Sequence, residues 1–303
     1  MNELSKLFDL NGKTAIVTGG AGLLGKEFCR TLALAGANVM VADISAPPQY
    51  PASAAQQAAG DIAGQGDIAG QGEIANQGVG ADRDPPLARL EPVYCDVTDP
   101  QSVQHMVEHT IKRFGRLDIL VNSAALDPKF DQSSLRQQGG HTNAFEDYPL
   151  QAWNQALEVN LTGAFLCCQA AARVMLEQES GVIINLSSIY GLAAPDQRIY
   201  HREGQPPQYK PVYYSVTKAG IIGLTGYLAA YFAGKNIRVN TLTPGGVYNG
   251  HDDNFVQAYS AKAVLGRMAD KTDMNGALLF LASDASAYMT GANLIVDGGW
   301  TTW

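Results

Sequence analysis

A tyrosine and a lysine four positions apart are the residues whose types and spacing point most directly to chemistry. Tyr214 and Lys218 stand in an apolar stretch that reads as a helix, and positions i and i+4 share one helix face. An ammonium group beside a phenol favours the phenolate and lowers the phenol pKa from about 10. We therefore expect Tyr214 to exchange a proton with a substrate oxygen. Tyr213, five positions from Lys218, fits this geometry less well.

A glycine-rich turn near the start of the chain has the spacing of a dinucleotide-binding turn. Gly20, Gly22 and Gly25 satisfy G-x-G-x-x-G between an expected strand over 13–18 and an expected helix over 27–35. Glycines there let the backbone approach a pyrophosphate, whose charge meets the free N–H groups of the helix N-terminus. The alternative is a tight turn that binds nothing.

Asp43 ends the second expected strand, 38–43, which is where an adenine ribose lies in such folds. A carboxylate there accepts hydrogen bonds from both ribose hydroxyls and repels a 2′-phosphate. No lysine or arginine follows in residues 44–46. The sequence therefore favours NAD over NADP, and the alternative is a solvated or helix-capping aspartate.

Strands and helices alternate along the chain. Apolar runs predict further strands at 92–97, 117–121, 182–186, 237–242 and 293–296, and further helices are expected at 100–114, 150–178 and 213–233. Apolar strands separated by helices indicate a parallel sheet covered on both faces.

These motifs together resemble the classical short-chain dehydrogenase/reductase family, from about Leu10 to Trp303. The matching pieces, in chain order, are the glycine turn, Asp43, C-D-V at 95–97, N-S-A-A at 122–125, Asn160, Ser188, Tyr214 with Lys218, residues 240–245, G-R-M at 266–268 and V-D-G-G at 296–299. The resemblance implies an α/β fold with a Rossmann-type doubly wound parallel sheet, built as a single domain over 1–303 with loop insertions.

The resemblance also implies a role for each catalytic position. Tyr214 would be the general acid and base, and Lys218 would bind the nicotinamide ribose. Ser188 would hydrogen-bond the substrate oxygen, with Ser187 as the second choice. Asn160 would hold a water molecule that relays protons from Lys218.

The cofactor contacts implied by the family lie at the carboxyl ends of several strands. They are Gly19, Gly20, Gly22, Leu23, Leu24, Gly25, Asp43, Asp96, Val97, Asn122, Ala124, Tyr214, Lys218, Pro244, Gly245 and Val247. The sequence departs from the family pattern at Leu23, where a glycine is usual, and at Asn249, where a threonine is usual. Neither departure removes a reacting group.

Three insertions lengthen the chain relative to the family core. Segment 45–90 contains a low-complexity hexapeptide repeat at 61–78, which is a surface loop or, alternatively, a turn of a β-helix. Segments 126–147 and 192–211 follow strands and so lie on the substrate side.

The substrate-side insertions are polar and favour a polar, sugar-like substrate; alternatively, segment 192–211 braces an oligomer. A subgroup resemblance to surface-glycan and flagellin-modification enzymes points the same way. The expected wall residues are Asp196, Arg198, Tyr200, His201, Arg202, Glu203, Tyr209 and Lys210, and a lid over 245–265 would add Tyr248, Asn249, His251, Phe255 and Tyr259.

Composition narrows the class of partners. The net charge is −8 and no stretch concentrates lysine and arginine, so we expect neither nucleic acid nor membrane as a partner. No apolar run of membrane-spanning length and no signal peptide are expected, and four cysteines without zinc spacing indicate a reduced, cytoplasmic protein. The H-x-x-E-H pattern at 105–109 is read as a helix surface, so no metal is expected.

The sequence thus predicts an NAD-dependent alcohol dehydrogenase or ketone reductase, assembled as a homotetramer or homodimer through the helices at 150–178 and 213–233. Two alternatives stay open. One is a 3-oxoacyl-thioester reductase, because the same core serves that chemistry. The other is a non-catalytic NAD(H)-binding protein.

Overall fold

The computed structural model describes residues 2–46, 89–127, 143–204 and 206–303. The strands are β1 (Thr14–Thr18), β2 (Asn38–Asp43), β3 (Leu90–Tyr94), β4 (Ile119–Asn122), β5 (Gly181–Leu186), β6 (Ile237–Pro244) and β7 (Asn293–Val296). The α-helices are α1 (Glu3–Lys6), α2 (Leu23–Leu34), α3 (Pro100–Phe114), α4 (Leu150–Leu157), α5 (Gly163–Glu177), α6 (Val212–Tyr231), α7 (Asp253–Ser260) and α8 (Asn275–Ala282).

The strands form one parallel sheet in the order β3-β2-β1-β4-β5-β6-β7. Alternate residues of β1 serve opposite faces: Val17 packs in a cluster with α2 and α8, and Ile16 packs in a cluster with α3 and α5. The predicted Rossmann-type doubly wound α/β fold is confirmed. β1 and β4 are neighbours in the sheet but not in sequence, and their carboxyl ends form the switch point at which ligands bind in such folds.

Several element boundaries differ from the expectations. α2 begins at Leu23, directly after the glycine turn, rather than at residue 27. β3 spans Leu90–Tyr94 rather than 92–97, with Pro92 inside it, because β3 is an edge strand and needs no further N–H partner there. The pattern gave no sign of α7 and α8, whose short sequences lie next to turns.

The helix expected over 150–178 is interrupted. α4 and α5 are joined by a π-helical turn, Glu158–Thr162, of a kind that often occurs at functional sites. By length and mean hydropathy the stretch Leu150–Glu177 could cross a membrane. In this fold its residues Cys167, Ala171 and Met175 are buried against the sheet instead.

The insertions are described only in part. The repeat at 61–78 and residues 128–142 lie outside the described residues. Of segment 126–147 the structure shows 126–127 and 143–147, and of segment 192–211 it shows all but residue 205. Residue 90, placed at the end of the first insertion, already belongs to β3.

Asn240 provides a test of how the sheet edge beside the site is held. Its side chain is fully buried, donates to the Met289 carbonyl at 2.8 Å and accepts from the Ala292 N–H at 3.0 Å. Asn240→Ala leaves both backbone groups without a partner, so we expect the free energy of unfolding to fall by about 2–4 kcal/mol. Urea unfolding measures this, and a loss under about 1 kcal/mol would contradict it.

Candidate active site

A cleft of about 1140 Å³ opens at the carboxyl ends of β1, β4, β5 and β6. Its size suits a dinucleotide together with a small substrate. Of the predicted site residues, all line this cleft except Gly20, Asn122 and Asn160.

The glycine turn is shaped so that side chains would not fit. Gly19 has a φ of +64°, and a Cβ there would lie 2.8 Å from the Cα of Ala124. A Cβ on Gly20 would lie 2.8 Å from a methyl carbon of Val41. A Cβ on Gly25 would lie 2.0 Å from the carbonyl oxygen of Gly19, so α2 can pack on the turn only because that residue is glycine.

The N-terminus of α2 faces the cleft and has no side-chain cap. Gly22 is its N-cap residue and makes no side-chain hydrogen bond to the first turn. Unpaired N–H groups and the helix dipole at this end attract a phosphate group. Leu23, which stands where the family has glycine, is 38% exposed and its neighbour Leu24 also lines the cleft. These features fit the pyrophosphate of a dinucleotide.

The carboxylate of Asp43 is fixed beside this turn. Its Oδ2 accepts from the Ala21 N–H at 3.1 Å, and its Oδ1 accepts from the N–H and hydroxyl of Ser45 at 2.9 and 2.8 Å. Asp96 is held in the same way by the N–H and hydroxyl of Thr98, and Val97 lies next to it. No lysine or arginine is among the described cleft residues at this end.

Asn122 braces the sheet under the cleft. Its Nδ2 donates to Oδ1 of Asn185 at 2.8 Å, and Asn185 in turn donates to the hydroxyl of Thr225 on α6. On the far side of the cleft the wall is the end of β6 with Pro244, Gly245 and Val247.

Tyr214 and Lys218 lie one turn apart on α6. Lys218 is 5% exposed, and its Nζ donates to the carbonyl of Leu186 at 2.9 Å. The same Nζ lies 5.8 Å from the centre of the Tyr214 ring. Burial lowers the pKa of Lys218 to about 8. The two side chains therefore come together at the end of β5, as the spacing predicted.

The expected lowering of the Tyr214 pKa is wrong for this arrangement. Burial, followed by the carboxylate of Asp127, raises the pKa of Tyr214 well above its usual range, and a hydrogen bond with Ser188 opposes this rise. Lys218, whose Nζ lies 5.8 Å from the centre of the Tyr214 ring, is not among the main influences on this pKa. Tyr214 is therefore a phenol at neutral pH in this structure.

The two candidate serines have different partners. The hydroxyl of Ser187 donates to the carbonyl of Lys218 at 2.7 Å and is buried. Ser188 lines the cleft, accepts from the N–H of Tyr190 at 3.2 Å and bonds to Tyr214. This geometry favours Ser188 over Ser187 as the serine that meets a substrate oxygen.

Asn160 is 2% exposed and uses its amide to hold the chain after β4. Its Oδ1 accepts from the N–H of Leu126 at 2.6 Å. Its Nδ2 donates to the Leu126 carbonyl at 3.1 Å and to the hydroxyl of Thr217 at 3.3 Å. The π-helical turn places this side chain between the first substrate-side insertion and α6. Its role in a water relay stays a prediction.

The structure adds Asp127 and Tyr190, which the sequence reasoning missed, to this group. The Nζ of Lys210 lies 2.5 Å from Oδ1 of Asp127 and 4.1 Å from the centre of the Tyr214 ring. Tyr190 packs edge-on against Tyr214, with ring centres 6.4 Å apart. No local pattern marks Asp127, because its partner is 83 positions away.

The polar wall is smaller than expected. Tyr200, Arg202, Lys210, Asn249, His251, Phe255 and Tyr259 line the cleft, but Asp196, Arg198, His201, Glu203, Tyr209 and Tyr248 do not. Asp196 is instead paired with Arg198 at 2.7 Å and with Lys262 at 2.8 Å. Arg202 is paired with Asp252, the N-cap residue of α7, at 2.6 Å.

Known proteins resemble this chain over almost all of its length. D-threitol dehydrogenase of Mycolicibacterium smegmatis is 33% identical across 99% of this chain and 97% of that protein. D-arabinitol 2-dehydrogenase (ribulose-forming) of Candida tropicalis is 30% identical across 98% of this chain and 95% of that protein. The 3-oxoacyl-(acyl-carrier-protein) reductase of Thermotoga maritima is 30% identical across 96% of this chain and 98% of that protein.

Solved structures of dehydrogenases also resemble this chain in fold and sequence. A short-chain dehydrogenase of Leptospira borgpetersenii with bound NAD+ has a TM-score of 0.74 and 30% identity over 99% of this chain and 96% of that one. A gluconate 5-dehydrogenase of Burkholderia cenocepacia, in complex with NADP and tartrate, has a TM-score of 0.76 and 25% identity over 99% and 100%.

A family model described as enoyl-(acyl carrier protein) reductase matches residues 81–301, which include Tyr214, Lys218 and the sheet from β3 onwards. The relatives extend the match through the glycine turn to nearly the whole chain. The chain belongs to the classical short-chain dehydrogenase/reductase family.

Proposed function

We propose that this protein is an NAD(H)-dependent oxidoreductase that interconverts a secondary alcohol and a ketone on a polar, polyol-like substrate. The convergence of Tyr214, Ser188 and Lys218 at one end of the dinucleotide-shaped cleft carries the proposal. An intact acid–base group argues against a protein that only binds NAD(H).

Three residues have separate roles in the proposed reaction. A nicotinamide held in the cleft would supply the hydride for reduction and accept it in oxidation. Tyr214 donates a proton to the substrate oxygen during ketone reduction and takes it back during alcohol oxidation. Ser188 bonds the same oxygen and holds it against the phenol. Lys218, buried beside Tyr214, would hold the nicotinamide ribose through its ammonium group.

The adenine end of the cleft supports NAD as the cofactor. Asp43 is fixed where a ribose hydroxyl would meet it. Its carboxylate would repel the additional phosphate of NADP. One solved relative has bound NAD+ and another is in complex with NADP, so this preference rests on Asp43.

The substrate end supports a neutral polar molecule over an acyl thioester. Its cleft-lining cations Arg202 and Lys210 are each paired with a carboxylate, so the wall is polar but nearly neutral. Such pairs offer donors and acceptors to hydroxyl groups. The similarity to threitol and arabinitol dehydrogenases supports a polyol-like substrate. The similarity to the Thermotoga maritima reductase supports the alternative, a 3-oxoacyl thioester.

We also propose a cytoplasmic homotetramer or homodimer. On α6, Tyr227 and Tyr231 stack with ring centres 6.1 Å apart and are 67% and 62% exposed. Stacked exposed aromatic rings on a helix favour burial against a partner subunit. All four cysteines are free and buried, which suits a reducing compartment. The relation to surface-glycan enzymes stays a prediction.

Removal of one hydroxyl tests the role of Tyr214. We expect Tyr214→Phe to lower kcat for D-threitol oxidation by about 10²-fold or more, because the acid–base group is lost. NADH affinity, followed by fluorescence titration, should stay within about threefold. Tyr213→Phe is the matched control, since Tyr213 is the adjacent buried tyrosine. Equal activity of the two variants would refute the assignment.

The raised pKa of Tyr214 predicts a different pH dependence for each direction of the reaction. A phenol is ready to donate, so ketone reduction should not increase between about pH 6 and pH 9. Alcohol oxidation needs the deprotonated group, whose population rises with pH, so its rate should climb over the same range. Initial rates with hydroxyacetone and propylene glycol measure this. An oxidation rate that falls as pH rises would count against Tyr214 as the base.

Asp43 can be tested by cofactor binding alone. We expect the wild-type protein to bind NADH at least about tenfold more tightly than NADPH, because the carboxylate repels the 2′-phosphate. Asp43→Ser should narrow this gap, chiefly by strengthening NADPH binding. Fluorescence titration gives both Kd values. Equal affinities in the wild-type protein would show that Asp43 does not select the cofactor.

A further inference from the structure

We propose that Lys210 and Asp127 are specificity-determining residues that together bind a second hydroxyl group, on the carbon next to the reacting carbon. The site would then prefer vicinal diols and α-hydroxy ketones. This inference rests on the proposed function, since it concerns the substrate of the same site.

The pair lies against the group proposed to react with the substrate. The Lys210 ammonium is 4.1 Å from the centre of the Tyr214 ring and 2.5 Å from the Asp127 carboxylate. Both residues line the cleft with Ser188. A substrate oxygen that contacts Tyr214 and Ser188 therefore places its neighbouring carbon and substituent near this pair.

The pair is held in position before any substrate arrives. The Lys210 side chain is 8% exposed, and its backbone N–H donates to the Gln197 side chain at 2.8 Å. Asp127 follows Leu126, whose backbone is bonded on both sides by the amide of Asn160. The entropy of ordering a long lysine side chain is thus already lost in the folded protein.

The chemistry of the pair matches a hydroxyl group. A hydroxyl both donates and accepts, so it can donate to the Asp127 carboxylate and accept from the Lys210 ammonium. A substrate carboxylate at the same place would be repelled by Asp127. A methyl or methylene group there would cover a charged pair without bonding to it, which sites of this kind reject strongly.

Neither residue belongs to the sheet and helices that hold the dinucleotide. Asp127 opens the first substrate-side insertion, 126–147, and Lys210 lies at the end of the second, 192–211. Among the described residues, the start of the first insertion and the end of the second therefore meet in this ion pair beside Tyr214. Their contact makes recognition of the second hydroxyl a property of the insertions.

The test compares substrates that differ by one hydroxyl: propylene glycol with isopropanol, using NAD+. The wild-type protein should prefer propylene glycol in kcat/KM. In Lys210→Met and Asp127→Asn that preference should fall by about 10- to 100-fold, the loss expected for a hydrogen bond to a charged group. Any effect on Tyr214 itself acts on both alcohols and cancels in the ratio.

Two further variants separate recognition from structure. Lys262→Met removes a lysine–aspartate pair, with Asp196, that involves the same insertion but lies outside the cleft lining, and it should leave the diol preference unchanged. Lys210→Arg keeps a donor at the site and should retain part of the preference. Asp127 is 55% exposed, so Asp127→Asn tests the pair even if Lys210→Met destabilises the fold.

The outcomes distinguish this inference from the proposed function. Oxidation of both alcohols with a ratio that is unchanged in Lys210→Met and Asp127→Asn would overturn the inference and leave the proposed function standing. The same loss of preference in Lys262→Met would also overturn it. Failure of the wild-type protein to oxidise either alcohol, or any polyol, would remove the proposed function and the inference with it.

Discussion

The substrate half of this site depends on the hydrogen bonds between the buried amide of Asn160 and the backbone of Leu126. These bonds form because a π-helical turn interrupts the long helix and leaves Asn160 facing inward, next to α6. The N–H groups of Ser123 and Ala124 after β4 are held by the hydroxyl of Thr18, and Asn160 extends this fixation to Leu126, the residue before Asp127. Asn160 thus acts as a positioning residue through the backbone that it holds.

Different forces shape the two halves of the cleft. At the dinucleotide end, close backbone packing decides the geometry, since a Cβ at Gly25 would collide with the carbonyl of Gly19. At the substrate end, charged side chains decide the geometry. Lys210 lines the cleft beside Tyr214 and is paired with Asp127. Lys218 also lines it and is buried, which lowers its pKa to about 8. We propose that the first half binds the dinucleotide and that the described ends of the two substrate-side insertions select the substrate in the second half.

The parts of the site that depend on local contacts could be predicted from the sequence. The spacing of Tyr214 and Lys218 on one helix face, and the glycine turn between a strand and a helix, are both short-range patterns whose geometry follows from the element that contains them. The parts that depend on long-range contacts could not be predicted. Asp127 meets Lys210 only because β4 and β5 are neighbours in the sheet, so that the loops after them lie side by side.

Two element boundaries also differ from the sequence pattern. Gly25 in the first turn of α2 hides the helical pattern there, and Pro92 hides the start of β3 because proline is acceptable only in an edge strand of this kind. The pKa of Tyr214 could not be inferred from spacing either. It depends on burial and on the carboxylate of Asp127, and neither can be read from the helix alone.

The proposed reaction moves a hydride between a carbinol carbon of a polyol and a nicotinamide. The most direct measurement uses D-threitol deuterated at its carbinol carbons, with NAD+, and follows the cofactor by mass spectrometry. We expect reduced cofactor that carries one deuterium from the polyol. Absence of label, together with turnover of a 3-oxoacyl thioester by NADPH, would contradict it.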